Sequence, residues 1–123
     1  MAKNTFTRKN KFNAVRQTYN GYNYDSKLEA EHAANLDFLL KTGLVTSWER
    51  QVKISLDING IHIANYFIDF KVHFTDGRVE YHEVKGVESD LFKLKWRMSK
   101  ALYPDYNFIM LKAPQVKSYL KLN

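Results

Sequence analysis

The chain has 123 residues, 45% of them hydrophobic, no cysteine and a formal net charge of +6. That length bounds a single core-bearing domain, and the missing cysteines exclude a disulfide framework and a thiolate metal site. No apolar run approaches the roughly 20 residues of a membrane span, and no apolar signal segment follows Met1, so the expectation is a soluble, cytoplasmic protein that meets no membrane and, from its charge, binds a polyanion.

Lys3, Arg8, Lys9, Lys11 and Arg16 all precede Asp25, the first acidic residue. Residues 1–20 therefore read as a flexible basic arm and 21–123 as one domain, with Tyr19, Tyr22 and Tyr24 suited either to stacking on unpaired bases or to strapping over the core. From Asp25 to about Lys41 the spacing predicts a helix, with Ser26 and Glu29 in capping-box positions and Gly43 as the stop. At about 100° per residue, Leu28, Ala33, Leu36, Leu39 and Leu40 share one arc with Glu29 and His32, and Glu31 falls opposite. Strands follow from about Ser47 to Lys85. Val52, Ile54, Leu56 and Ile58 alternate with polar residues, Asn59-Gly60 offers a tight turn, Ile61 to Phe74 returns, and Asp76-Gly77 turns into Val79–Lys85. Asp90 to Leu102 is again helical, ended by Tyr103-Pro104. Tyr106 to Leu111 reads as a buried strand, parallel to a neighbour, and Pro114 to Leu122 as a short helix. The order αβββαβ(α) is that of an α/β fold with a mixed central sheet flanked by helices.

Asp69 sits within Tyr66-Phe67-Ile68-Asp69-Phe70, and Glu83-Val84-Lys85 closes an equally apolar strand. Charges are rarely placed there unless paired, because burying an unpaired charge costs several kcal/mol. The turn decides whether the carboxylates meet. A two-residue Asp76-Gly77 loop would set Asp69 opposite Val84, whereas a three-residue loop, Thr75-Asp76-Gly77, sets it opposite Glu83. Glycine at the last loop position favours the second, and alternation then keeps Lys85 on the face of Glu83. Two opposed carboxylates without a cation would repel, so this register calls for a metal. The competing reading is an ordinary Glu83–Lys85 ion pair with Asp69 on an edge. Glu29 adds a third carboxylate from the helix, unless it serves the Ser26 cap instead. Gln51, on the preceding strand, suits a strand edge.

In the second helix Lys93, Arg97 and Lys100 share a face, with Lys95 nearby, a pattern suited to phosphate contacts or to a solvated surface. The four histidines show no metal-ligand spacing, and no Gly-rich phosphate loop is present, so the expectation is no nucleotide cofactor.

A glutamate in a first helix, an aspartate on a strand and Glu-x-Lys on the next strand resemble the signature of the PD-(D/E)XK nuclease superfamily. Tyr24-Asp25-Ser26-Lys27-Leu28-Glu29-Ala30 looks like the opening of a small phage-encoded family within it. The likeness continues through Gln51, Asp69, Glu83-Val84-Lys85-Gly86 and the lysine-rich helix, over about residues 22–112, and Ile68 stands where the signature has proline. In organisation the chain is similar to phage endonuclease I, a Holliday junction resolvase. The resemblance implies a restriction-endonuclease-like αβββαβ core and Mg²⁺- or Mn²⁺-dependent hydrolysis of DNA, structure-selective and acting on branched DNA in phage DNA metabolism, in the host cytoplasm. It implies that Asp69, Glu83 and the Val84 carbonyl bind the ion, with Glu29 direct or through water, and that Lys85 orients and helps deprotonate the attacking water. Gln51, Lys93, Lys95, Arg97, Lys100 and the arm residues Arg8, Lys9, Lys11 and Arg16 would hold DNA. Cutting both strands symmetrically needs two sites, which favours a homodimer. The alternative is a non-catalytic nucleic-acid-binding module that retains the fold.

Overall fold

The computed structural model describes residues 17–19, 22–24 and 26–121, so Arg8, Lys9, Lys11 and Arg16 lie outside the described residues. Two short strands, β1 (Gln17–Tyr19) and β2 (Tyr22–Tyr24), pair antiparallel beside the first helix. The arm expected over residues 1–20 thus ends in a strand that its composition does not signal. Next come α1 (Lys27–Thr42), β3 (Val45–Ile58), β4 (Ile61–Phe74), β5 (Val79–Val84), α2 (Asp90–Leu102), β6 (Asn107–Leu111), α3 (Ala113–Lys117) and a closing 3₁₀ turn (Tyr119–Lys121). From α1 onward this is the expected element order.

The sheet runs β3-β4-β5-β6, antiparallel except for the parallel β5–β6 pair. It is a mixed α/β fold with helices on both faces. Successive residues of β5 point to opposite sides. Val84 joins Ala33, Leu36 and Leu39 of α1 in one core, whereas Tyr81 joins Phe92 and Trp96 of α2 in the other. Two expectations on burial are corrected. Leu40, placed on the core arc of α1, is exposed, because the arc turns past the sheet at the last turn of the helix. The apolar strand β6 is mostly half-buried rather than buried, since it is an edge strand with a neighbour on one side only.

The long β3–β4 hairpin serves both cores. Phe70, Val72 and Phe74 pack with α1, but Ile68 and Tyr66, at positions of the same parity, pack with α2. The register is constant across this point (Arg50↔Phe70, Val52↔Ile68), so the changeover comes from twist and not from an inserted residue. Asp69 lies at the changeover.

A buried polar chain ties α1 to β5. Asn35 Nδ2 donates to the Val116 carbonyl at 2.9 Å and reaches His32 Nδ1 at 3.4 Å. His32 Nδ1 therefore accepts, and the proton of the neutral ring sits on Nε2, which donates to His82 Nδ1 at 2.9 Å. His82 Nε2 in turn donates to Glu80 at 2.8 Å, and Glu80 also accepts from Arg78 at 3.0 Å. Both rings are fully buried. Burial, and then the neighbouring His82, hold His32 well below the usual histidine range. A histidine with a depressed folded pKa contributes stability that is present above about pH 6.5 and is lost as pH falls from there through the folded value. The urea midpoint should therefore drop on acidification below about pH 6.5, and His32→Gln should flatten that part of the profile.

Candidate functional site

The turn between β4 and β5 has three residues. Phe74 N donates to the Arg78 carbonyl at 2.9 Å, Gly77 N to the Phe74 carbonyl at 3.0 Å, and Gly77 has φ 95°, where only glycine sits without strain. The ladder pairs His73 with Val79 and Phe70 with His82, and the same register sets Asp69 opposite Glu83. Asp69 Oδ2 there accepts from the Val84 backbone N–H at 2.9 Å. On its other side Asp69 Oδ1 accepts from Gln51 Nε2 at 3.3 Å. Gln51 lies opposite Asp69 on β3 and has φ 53°, a left-handed backbone inside a strand. A non-glycine residue in that region costs on the order of 1–3 kcal/mol and marks a place where surrounding structure dictates the conformation.

Glu83 is likewise held. Tyr66 Oη donates to Glu83 Oε1 at 2.5 Å, and Lys85 Nζ lies 3.5 Å from Glu83 Oε2 and 4.4 Å from the centre of the Phe92 ring. Glu29 comes from the first turn of α1. The Ser26 hydroxyl caps that helix by accepting from the Glu29 backbone N–H at 3.1 Å, so the cap uses Glu29's main chain while its side chain faces the sheet. Glu29, Asp69 and Glu83 are all buried. They line one open cleft of about 560 Å³, which Gln51, Tyr66, Val84 and Lys85 also line.

The electrostatics of this cluster are unfavourable without a cation. Burial first, then the charges of Glu29 and Glu83, push Asp69 well above the usual carboxylate range, against the Val84 N–H and Lys85. Burial raises Glu83 too, partly offset by the Tyr66 hydrogen bond and by Lys85. Burial, and then the charge and hydrogen bond of Glu83, drive the Tyr66 phenol strongly upward, so it stays a donor. Among the described residues no three His, Asp or Glu side chains stand together as a ligand group for a metal. Gln51 and Val84 hold the two oxygens of Asp69, and Tyr66 and Lys85 those of Glu83.

Of the residues read from the sequence, the structure brings Glu29, Gln51, Asp69, Glu83, Val84 and Lys85 to one cleft. The cations of α2 divide between the cleft and the surface. Lys93, Arg97 and Lys100 are exposed but do not line the cleft, and the cation of α2 that does is Lys95, whose Nζ donates to the Asn65 carbonyl at 2.9 Å. Helical periodicity groups residues on a face but does not say which face meets the hairpin. Glu31 is paired with Lys117 at 3.1 Å, away from the cleft. Tyr66 was not anticipated, although a tyrosine in an otherwise apolar strand signals a buried hydroxyl that needs a partner.

A family model described as "Protein of unknown function (DUF1064)" matches residues 9–118. No curated protein and no solved structure matches the chain.

The strain at Gln51 is testable. Gln51→Val, which puts a β-branched residue at positive φ, should cost about 2 kcal/mol more in urea denaturation than Gln51→Gly, which adopts that backbone freely.

Proposed function

The chain belongs to that family, and we propose that it is a metal-dependent endonuclease of the PD-(D/E)XK type, hydrolysing DNA phosphodiester bonds. One observation carries the reading. Carboxylates from α1, β4 and β5 are buried round one open cleft, burial and the charges of Glu29 and Glu83 raise the proton affinity of Asp69, and a lysine lies beside them. A protein core does not retain such a cluster cheaply, and a divalent cation would remove its repulsion.

The donor set fits a hard cation, since it offers oxygens and no sulfur. Asp69, Glu83 and the Val84 carbonyl would hold Mg²⁺ or Mn²⁺, with Glu29 direct or through water. When bound, such an ion supplies Lewis-acid polarisation of the phosphoryl oxygens and activation of water. The chain's own residues would do the rest. Gln51 orients the Asp69 carboxylate from one side and the Val84 N–H from the other, and Tyr66 fixes the rotamer of Glu83. The Lys85 ammonium, partly exposed in the lining of the cleft, would orient the attacking water and offset the negative charge that builds on the phosphorane oxygens. The basic balance of the chain would supply non-specific affinity for the backbone. So small a domain offers little surface for reading bases, which suits recognition of branched DNA, and a homodimer would provide two sites.

The competing reading, a non-catalytic nucleic-acid-binding module on the same fold, is favoured by the protein donors that already occupy the Asp69 and Glu83 oxygens. Metal titration separates the two. With EDTA, Asp69→Asn should melt above wild type at pH 8, because a repelling charge is gone. Mn²⁺ should raise the melting temperature of wild type and leave that of the variant unchanged. In Mg²⁺ or Mn²⁺, wild type should cut some member of a panel of linear, nicked, flapped and four-way-junction DNA, and Asp69→Asn should be slower by at least about a hundredfold. A wild type that neither binds the ion nor cuts is the non-catalytic module.

A further inference from the structure

The outer face of the β3–β4 hairpin continues beyond Asp69. Two residues along the strand stands Phe67, which lines the same cleft as Asp69. Phe67 is 52% exposed. A single exposed phenylalanine needs no explanation. This one, however, lines the carboxylate cleft, and Val87 (57% exposed) and Leu91 (60% exposed) line it too. They come from the loop after β5 and from α2, so the lip is assembled from separate parts of the chain.

Cations flank the lip. Lys53 is the cross-strand partner of Phe67 and is exposed. Lys95 lines the cleft, with its Nζ at the Asn65 carbonyl. An occupant that suits this surface must offer negative charge to the lysines and, about 7 Å along the strand from Asp69, a flat apolar face to Phe67. A continuous duplex offers only the first, since its base faces are stacked on one another. An apolar protein surface offers only the second and would bury Lys53. A strand with an unstacked base offers both.

We propose that Phe67 is a stacking platform for an unpaired nucleobase next to the phosphate held at the carboxylates, with Leu91 and Val87 as its apolar surround and Lys53 and Lys95 on the adjoining backbone. The site is then selective for single-stranded or locally unpaired DNA over continuous duplex. Only the position of the phosphate rests on the nuclease reading, because stacking is a binding property.

The test uses the full chain in Ca²⁺ and a DNA duplex carrying one unpaired 2-aminopurine at the base of a flap. Wild type should change the 2-aminopurine fluorescence on binding. Phe67→Ala should abolish that change and bind about tenfold more weakly, and Phe67→Trp should restore both. Binding of a fully paired duplex of the same length should be equal for all three proteins. The proposal is overturned if Phe67→Ala binds the flapped DNA as tightly as wild type, if it weakens both DNAs alike, or if wild type binds neither. A cleavage arm in Mg²⁺ or Mn²⁺ keeps the two claims apart. Phe67-dependent binding without any cutting removes the nuclease reading and leaves the platform, whereas cutting with no Phe67 effect removes the platform alone.

Discussion

The register of β4 against β5 is the constraint on which the site depends. It is set by a three-residue turn whose last member, Gly77, occupies a left-handed backbone. With one residue fewer, Asp69 would face Val84 and the Glu83 side chain would point to the other side of the sheet. With this turn, Asp69 stands opposite Glu83 and takes the Val84 N–H, and Lys85 follows Glu83 into the same cleft. A backbone feature some seven residues from the carboxylates therefore decides whether they meet.

The second determinant is the twist of the long hairpin. The positions that pack on α1 near the turn pack on α2 beyond it, and Gln51 and Asp69 mark the place where the partner changes. Twisting there opens a cleft between α1 and α2 instead of continuing a covered sheet. The strained Gln51 backbone and the Asp69 carboxylate, raised by burial and by its neighbours' charges, then lie side by side, so two unfavourable terms coincide at the same cleft. Such coincidence is expected where the surrounding core stabilises a geometry that the local chain would not choose.

Much of this was legible in the residues. Ser26 and Gly43 mark the ends of α1, Asn59-Gly60 and Gly77 mark the turns, and alternation puts Asp69, Glu83 and Lys85 on one face. Each of these signals is local or depends on counting. What was not legible depends on tertiary placement. The spacing of Lys93, Arg97 and Lys100 groups them without saying that Lys95 is the one turned to the cleft. His82 reads as an ordinary polar residue of an alternating strand until α1 covers it and His32 supplies its partner. Gln51 carries no sign of its left-handed backbone, because glutamine has no preference for it, and the apolar run of β6 does not reveal that one edge is left without a neighbour.

The chain from Asn35 through His32 and His82 to Glu80 has a consequence for precision. Apolar helix–sheet contacts tolerate sliding, since one methyl group substitutes for another at small cost. Directional donors and acceptors in a dry interior do not, because an offset leaves a buried polar atom unsatisfied. His32 is one turn from Glu29, and His82 is the neighbour of Glu83. The hydrogen bond between the two rings thus gauges the separation of helix and strand from behind the cleft, on the face away from Lys85, to a tolerance that leucines alone would not hold.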